Sequence, residues 1–455
     1  MRCIFVKIHS TWYTASGLYS LLFVPLTPPI KGTIGKHVIL SLFALIVSIC
    51  GIQFGIVLFV PFIIAIILMM GFDKITAALV TVGGIMAGII GTTYAPNNTG
   101  ILTSTLALDF DFAIGIRWII LVVAIALVIF NVLMYVGFKK TSKAAKKGVK
   151  EEKKEEVVVK KEVKKAPAKK APAKKTTAKK TTSKKTTSKT RKSANKAALI
   201  EEDVIMVPAK VNGKHKIWPL VLTFSLLFVV FMLAFIPWAS FKVESFNEFS
   251  QSVQQFTIFK FPIFAKILGI FNPFGSWSIT DLILPMALVI LVLSLIYKVK
   301  LDDLFDGFIE GAKKALAPAV LVILIYSILV LTTYHPFQLV IYKSILGLSK
   351  GFNIATTVLV ALLAPIFNSD IAYSFQSVVP YFASIVTKTE NYPVAAVIFQ
   401  SMYGLVMLVA PTSVVLMGIL SYLKVSYKEW LKTIWKLLLE LFVVLLIIFI
   451  ILALI

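Results

Sequence analysis

Two short polar clusters interrupt otherwise apolar sequence, and they hold the side chains best suited to bind a solute. The first, Gly91-Thr-Thr-Tyr-Ala-Pro-Asn-Asn-Thr-Gly100, breaks what would otherwise be one apolar helix from Ile75 to Thr105. Inside a membrane a Gly/Pro break frees backbone N–H and C=O groups, which is tolerated only against protein or a water-filled cavity. Thr92, Thr93, Asn97, Asn98 and Thr99 surround the freed groups. Such a set can orient a substrate or a coupling cation through amide, hydroxyl and carbonyl oxygens. The simpler alternative is that Asn97, Asn98 and Thr99 cap the two half-helices. The second cluster, Val409-Ala-Pro-Thr-Ser-Val414, repeats the Ala-Pro-polar pattern, with Thr412 and Ser413 as counterparts. Paired interrupted helices in two halves of a chain point to a transporter's binding site.

A third cluster, Asn368-Ser369-Asp370, lies between two apolar arms. An ionisable group there costs about 2.5–3.5 kcal/mol on insertion scales and marks an ion or substrate path by default. The Asp370 carboxylate suits Na+, a proton or a substrate ammonium; the alternative is that it reaches the outer interface. Asn368 joins the substrate-binding candidates. Ser369, Thr93 and the weaker Gln53 join Asp370 as ion-coupling candidates. Enzyme chemistry finds no nucleophile–base pair. Only Cys3 and Cys50 are present, and four scattered histidines show no ligand spacing, so no disulfide framework, metal centre or cofactor is expected beyond Na+ as coupling ion.

The elements that must position these residues belong to a membrane. The 455 residues are 58% apolar with a mean hydropathy of +0.88, and windows of about 20 apolar residues recur, which predicts an all-α polytopic protein. The net charge of +25 is local: residues 139–200 hold 24 Lys/Arg and 5 Glu. Four segments follow. Residues 1–36 are left unassigned and 37–138 form a first membrane repeat. Residues 139–216 read as a Lys-rich linker, and 217–455 as a second membrane half. The linker's five-residue period of Lys pairs with Ala, Pro, Thr and Ser cannot bury apolar surface and is expected to be disordered. Clustered lysine is enough for anionic lipid or nucleic acid, although no aromatics are interleaved for stacking.

Residues 37–70 are long for one span and short for two, with a kink at Cys50-Gly-Ile-Gln-Phe-Gly55. Two half-helices of about 14 residues rise about 20 Å each, partway across the ~30 Å core, so a re-entrant hairpin is expected. Residues 354–386 repeat it. Clean spans are expected at 116–138, 218–239, 282–297 and 315–333. Amphipathic segments are expected at 299–314 and 424–436, ahead of a final apolar helix. Each end of the chain thus reads hairpin, turn, interrupted helix, connection and span. Pro61 precedes Pro96 by 35 residues and Pro380 precedes Pro411 by 31. Trp118 and Trp430 follow as residues suited to an interface.

With the basic linker inside, the first hairpin opens from the inside and the second from outside. The two units are therefore inverted, as many secondary transporters require. The expected protein is a multi-pass cytoplasmic-membrane carrier, using alternating access to move a small anionic or zwitterionic solute with a cation gradient. Symport versus antiport and oligomeric state, a homodimer included, stay open. The rival reading is a non-transporting scaffold whose lysine arm recruits an acidic partner.

Several motifs sharpen this. Gly71-Phe-Asp with Gly91-Thr-Thr-Tyr-Ala-Pro-Asn97, Phe308-Ile-Glu-Gly-Ala-Lys-Lys314, Ala410-Pro-Thr-Ser-Val-Val-Leu-Met417 and Tyr427-Lys-Glu-Trp-Leu-Lys432 resemble the YfcC-like and DcuC-like carriers of the ion transporter superfamily. The resemblance covers residues 36–455 outside the linker. It implies an inverted-repeat secondary carrier for C4-dicarboxylates or amino acids, with hairpin tips and broken helices around a midplane site. Against that family the chain begins close to the first hairpin, implying a shortened N-terminal side, and its first hairpin tip is poor in hydroxyls.

Overall fold

Two helices are buried along almost their whole length, and the fold is laid around them. The computed structural model describes residues 33–51, 72–137, 218–257, 272–278, 281–349 and 351–454, with isolated positions between 60 and 68 and between 261 and 269. By internal contacts the chain divides into Met1–Val132 with Lys210–Ile455, and Leu133–Ala209. Of the second unit only the helix end 133–137 is described. Gln53, residues 1–32 and the expected linker lie outside the described residues.

The described residues are helical, in the order expected. α1 (Thr33–Cys50) covers the expected first arm of the first hairpin and begins four residues before His37, while most of the expected second arm, Pro61 included, lies outside the described residues. α2 (Lys74–Ile90) and α3 (Pro96–Leu106) are the two halves of the first interrupted helix. α4 (Ile114–Gly137) follows as a span. Then come α5 (Trp218–Phe235), a 3-10 turn at Trp238–Phe241, α6 (Ser245–Gln255), α7 (Ile283–Ile296), α8 (Leu301–Tyr334) and α9 (Phe337–Leu346). The second hairpin is α10 (Ile354–Phe367) and α11 (Ile371–Ile385). The second interrupted helix is α12 (Tyr392–Met407) and α13 (Val414–Leu423), and α14 (Tyr427–Leu454) closes the chain.

Among the described residues, α4 and α14 are each long and apolar enough to cross a bilayer. A third candidate is the bent pair Ala319–Tyr334 with Phe337–Leu346, which turns by 70° at His335-Pro336. With this much apolar helix the chain is an all-α polytopic membrane protein. Broad apolar faces stay open on α5, α7 and α8, including Leu222, Leu226, Leu288, Leu295, Leu316 and Ile323, as lipid contact requires.

α2 and α12 are apolar all round, the mark of a core helix: Ile75–Ile90 and Val394–Met407 are buried without exception. They cross where Gly404 removes the side chain. A Cβ at Gly404 would sit 2.7 Å from Ile90 Cγ1 and 2.8 Å from Ile90 N. Small residues let membrane helices approach this closely. As α12 advances from Gln400 to Gly404, its partners on α2 and the following loop fall back from Thr92 to Ile90. The two helices therefore run antiparallel at the crossing, which is the geometry of an inverted repeat. A further bond joins the closing spans of the two repeats: Asn131 Nδ2 on α4 donates to Glu440 Oε2 on α14 at 2.6 Å.

The structure redraws some expected boundaries. The amphipathic 299–314 segment and the 315–333 span are one helix, α8, of 34 residues. That is about 51 Å, longer than a hydrocarbon core, and the helix runs on through Gly311 and Pro318 between its polar and apolar parts. The 424–436 segment likewise runs into the last helix: α13 ends at Lys424, with φ 53°, and α14 starts at Tyr427. α5 stops at Phe235 rather than 239, because Pro237 leads into the 3-10 turn. Trp430 is not an interfacial residue; it is fully buried, for a reason given below.

Gly404→Ala is expected to destabilise the detergent-solubilised protein by about 1–3 kcal/mol, the usual cost of overpacking. Gly418→Ala, in α13 with nothing within 4 Å of the added carbon, should be neutral or stabilise by about 0.5–1 kcal/mol. Thermal melts of the two variants side by side check the pair.

Candidate functional site

Breaking α2 from α3 strands carbonyls at and just beyond the end of α2, and Ile90 O, Gly91 O and Thr92 O each accept from a side chain of another element. Ser48 Oγ, near the end of α1, donates to Gly91 O at 2.7 Å. Ser401 Oγ on α12 donates to Ile90 O at 3.0 Å, and Gln400 Nε2 donates to Thr92 O at 3.0 Å. Thr92 Oγ1 turns back to Ile89 O at 2.9 Å and accepts Asn98 Nδ2 at 3.0 Å. Thr93 N donates to Ser48 O at 2.9 Å, with its hydroxyl 2.9 Å from Ser48 Oγ. The break is thus woven into the hairpin arm behind it and the opposite repeat in front.

α1 ends at Gly51, whose φ of 82° favours glycine, and a side chain there would meet Asn98 Oδ1 at 3.1 Å. Asn98 therefore faces the first hairpin tip. It is buried, as are Thr93 and Thr99, whereas Asn97 is exposed. Thr99 Oγ1 donates to Ala95 O within its own helix at 3.1 Å. None of the three caps α3: its N-cap is Ala95, with no side-chain cap and Pro96 in the first turn.

The second break is satisfied by α14. Trp430 Nε1 donates to Leu408 O at 2.9 Å, and the Tyr427 hydroxyl donates to Val409 O. That is why Trp430 is buried. Ser413 caps α13 by accepting Leu416 N at 3.4 Å, and Thr412 Oγ1 donates to Ile366 O at 3.4 Å. The last bond matches one in the first repeat, where Thr93 Oγ1 donates to Ser48 O at 3.3 Å. In each case a threonine in the break binds a carbonyl near the end of the hairpin's first arm. The sequence separations are 45 and 46 residues, a closer correspondence than the proline spacings.

The second hairpin tip gathers three candidates. Asn368 is buried and accepts the Thr332 hydroxyl of α8 at 3.2 Å. Ser369 O accepts the Tyr403 hydroxyl of α12 at 2.6 Å. Asp370 is half-buried and caps α11, Oδ1 accepting Tyr373 N at 3.1 Å. Its charge lies within reach of the Tyr326 and Tyr403 phenols. Tyr403 thus ties the second tip to the helix that crosses the first break, and α11 packs on α3. Both candidate clusters meet on α12 and α3.

Sequence reasoning missed Ser48, Gln400, Ser401, Tyr403 and Tyr427. Gln400-Ser401 carried a readable signal, two polar residues inside a buried apolar helix. Gln400 Oε1 is buried with no hydrogen-bond partner among the described residues, an acceptor left over once its amide nitrogen has served Thr92.

Gln400→Leu and Ser401→Ala each strand a buried carbonyl at the first break and should each cost about 1–3 kcal/mol. The double variant should cost less than the sum if the two act on one unit. Denaturant unfolding of the four proteins completes the cycle.

Against known proteins, a family model described as C4-dicarboxylate anaerobic carrier (DcuC) matches residues 30–454. No curated protein and no solved structure matches the chain.

Proposed function

The chain belongs to the DcuC family of C4-dicarboxylate anaerobic carriers, and we propose that it is a secondary active transporter, moving a small carboxylate, a C4-dicarboxylate or an amino acid, on a Na+ or proton gradient. The protein is a membrane transporter by family and not an enzyme. The observation that carries the mechanism is the antiparallel crossing of α2 and α12, with Gln400 and Ser401 holding the carbonyls of the first break. An inverted pair of broken helices around one polar centre supports alternating access by rocking one repeat against the other.

The roles follow from the chemistry. α3 begins in the break without a side-chain cap, so the positive end of its dipole is open to a carboxylate. Asn98, Thr99 and the more exposed Asn97 orient that anion from the first repeat, and Asn368, Thr412 and Ser413 from the second. Asp370 supplies the formal negative charge for the coupling cation, with Ser369, Thr93 and Gln53 as its neutral oxygen donors. The lysine-rich stretch sets the orientation, with 139–216 on the cytoplasmic side of the cytoplasmic membrane.

Uptake of radiolabelled succinate, malate and glutamate into proteoliposomes, under imposed Na+ or proton gradients, tests the reading. Wild type should accumulate at least one solute only when a gradient is present. Asn98→Ala and Asp370→Ala should lower the rate at least about tenfold, a barrier change of about 1.4 kcal/mol. Gradient-independent leakage, or no flux of any carboxylate or amino acid, would reject it.

A further inference from the structure

Arg117 is the one arginine among the described residues, and it lies in an unusual place. It sits in the first turn of α4, one turn before Leu121, whose backbone packs against Gly91 at the first break. Its side chain is 0% exposed. Nη2 donates to Phe110 O at 3.0 Å, and the guanidinium carbon lies 4.1 Å from the centre of the Phe112 ring. Tyr94, from the broken stretch itself, is within electrostatic reach, as is Asp111. Tyr94 also touches Phe110, Trp118 and Phe241, with ring centres 5.9, 6.4 and 5.0 Å away. The cation therefore lies against the Phe112 ring, on a helix that packs directly behind the interruption.

Two of its three nitrogens, Nε and Nη1, are buried without a hydrogen-bond partner among the described residues. Buried polar groups are nearly always paired, and an exception calls for an explanation; a charged group left unpaired is the costliest kind. Holding the α3–α4 connection would use only Nη2 and the Phe112 face. Asp111 is solvent-exposed and makes no hydrogen bond to the guanidinium among those described, so it does not account for the open donors. A planar fork of N–H donors is the side-chain group that best fits a carboxylate. A fixed positive charge near its path stabilises an anion crossing an apolar protein.

We propose that Arg117 is a substrate-binding residue whose open nitrogens take a carboxylate of the transported anion as it passes the first break. This rests on the carrier reading above and deepens it: the solute carries at least one carboxylate, held by a guanidinium as well as by the start of α3.

The test uses the full-length protein in detergent, with succinate, malate, glutamate and acetate as probes. Phenylglyoxal, which modifies arginine, is mapped on the Arg117 peptide by mass spectrometry. At least one carboxylate should slow that modification, and chloride at equal ionic strength should not. Arg117→Gln should weaken binding of the same carboxylate at least about tenfold, as loss of a charged hydrogen bond predicts, and Arg117→Lys should recover part of it. Wild type that binds a carboxylate, with unchanged affinity in a folded Arg117→Gln, overturns the proposal and leaves the carrier reading standing. Wild type that binds none of the four overturns both. Should Arg117→Gln fail to fold, equal labelling of wild-type Arg117 with and without a bound carboxylate overturns the proposal alone.

Discussion

A helix broken inside an apolar medium must find new partners for the backbone groups it releases, and the arrangement of this protein follows from how those partners are supplied. Hydrocarbon offers none. The first break draws them from α1 through Ser48 and from α12 through Gln400 and Ser401. The second draws them from α14 through Trp430 and Tyr427. The two solutions differ. One break depends on the opposite repeat, the other on its own closing span. The repeats are thus alike in path but not in the side chains that stabilise them, and the first break is the one that moves if the repeats shift against each other.

The shared path is visible in a bond more than in any residue type. Thr93 and Thr412 each donate to a carbonyl near the end of the preceding hairpin arm, over nearly equal separations. The prolines that first suggest the repeat are spaced 35 and 31 residues apart, and Pro96 opens α3 whereas Pro411 lies two residues ahead of the cap of α13, Ser413. A proline can occupy either place, since both lie where helical N–H groups already lack intrahelical acceptors. Backbone pairing leaves no such latitude.

Much of this was legible from residues alone. The break at Gly91–Ala95, the hairpin tip at Asn368–Asp370 and the second break at Val409–Ser413 are marked by Gly, Pro and Asn within apolar runs, where nothing else explains them. Helix continuity was harder to read. α8 joins a charged amphipathic stretch to an apolar one, and the change of polarity, with Gly311 and Pro318 beside it, looks like a boundary although the helix continues through both. Trp430 shows the opposite difficulty. A tryptophan beside spaced lysines reads as an interfacial anchor, and only the location of Leu408 O reveals it as a donor to the break. Capping is the plain alternative for Asn97, Asn98 and Thr99, yet Ala95 holds that place, which leaves Asn98 directed at Gly51. Arg117 drew no notice, because a single basic residue at a span's start is ordinary until its burial and open donors are known.

The antiparallel crossing is the claim on which the rest stands, and a disulfide tests it most directly. Ile90→Cys and Ser401→Cys, in a background with Cys3 and Cys50 replaced by alanine, bring two thiols to the place where Ser401 bonds Ile90 O. The 3.0 Å bond sets the Ser401 side chain directly against the Ile90 backbone. Mild oxidation in membranes should join this pair, detected as a mobility shift that reductant reverses, and should leave Ile90→Cys with Val394→Cys unjoined. Cross-linking of the second pair and not the first would mean that the helices do not meet in this register, and the account of both breaks would fail with it.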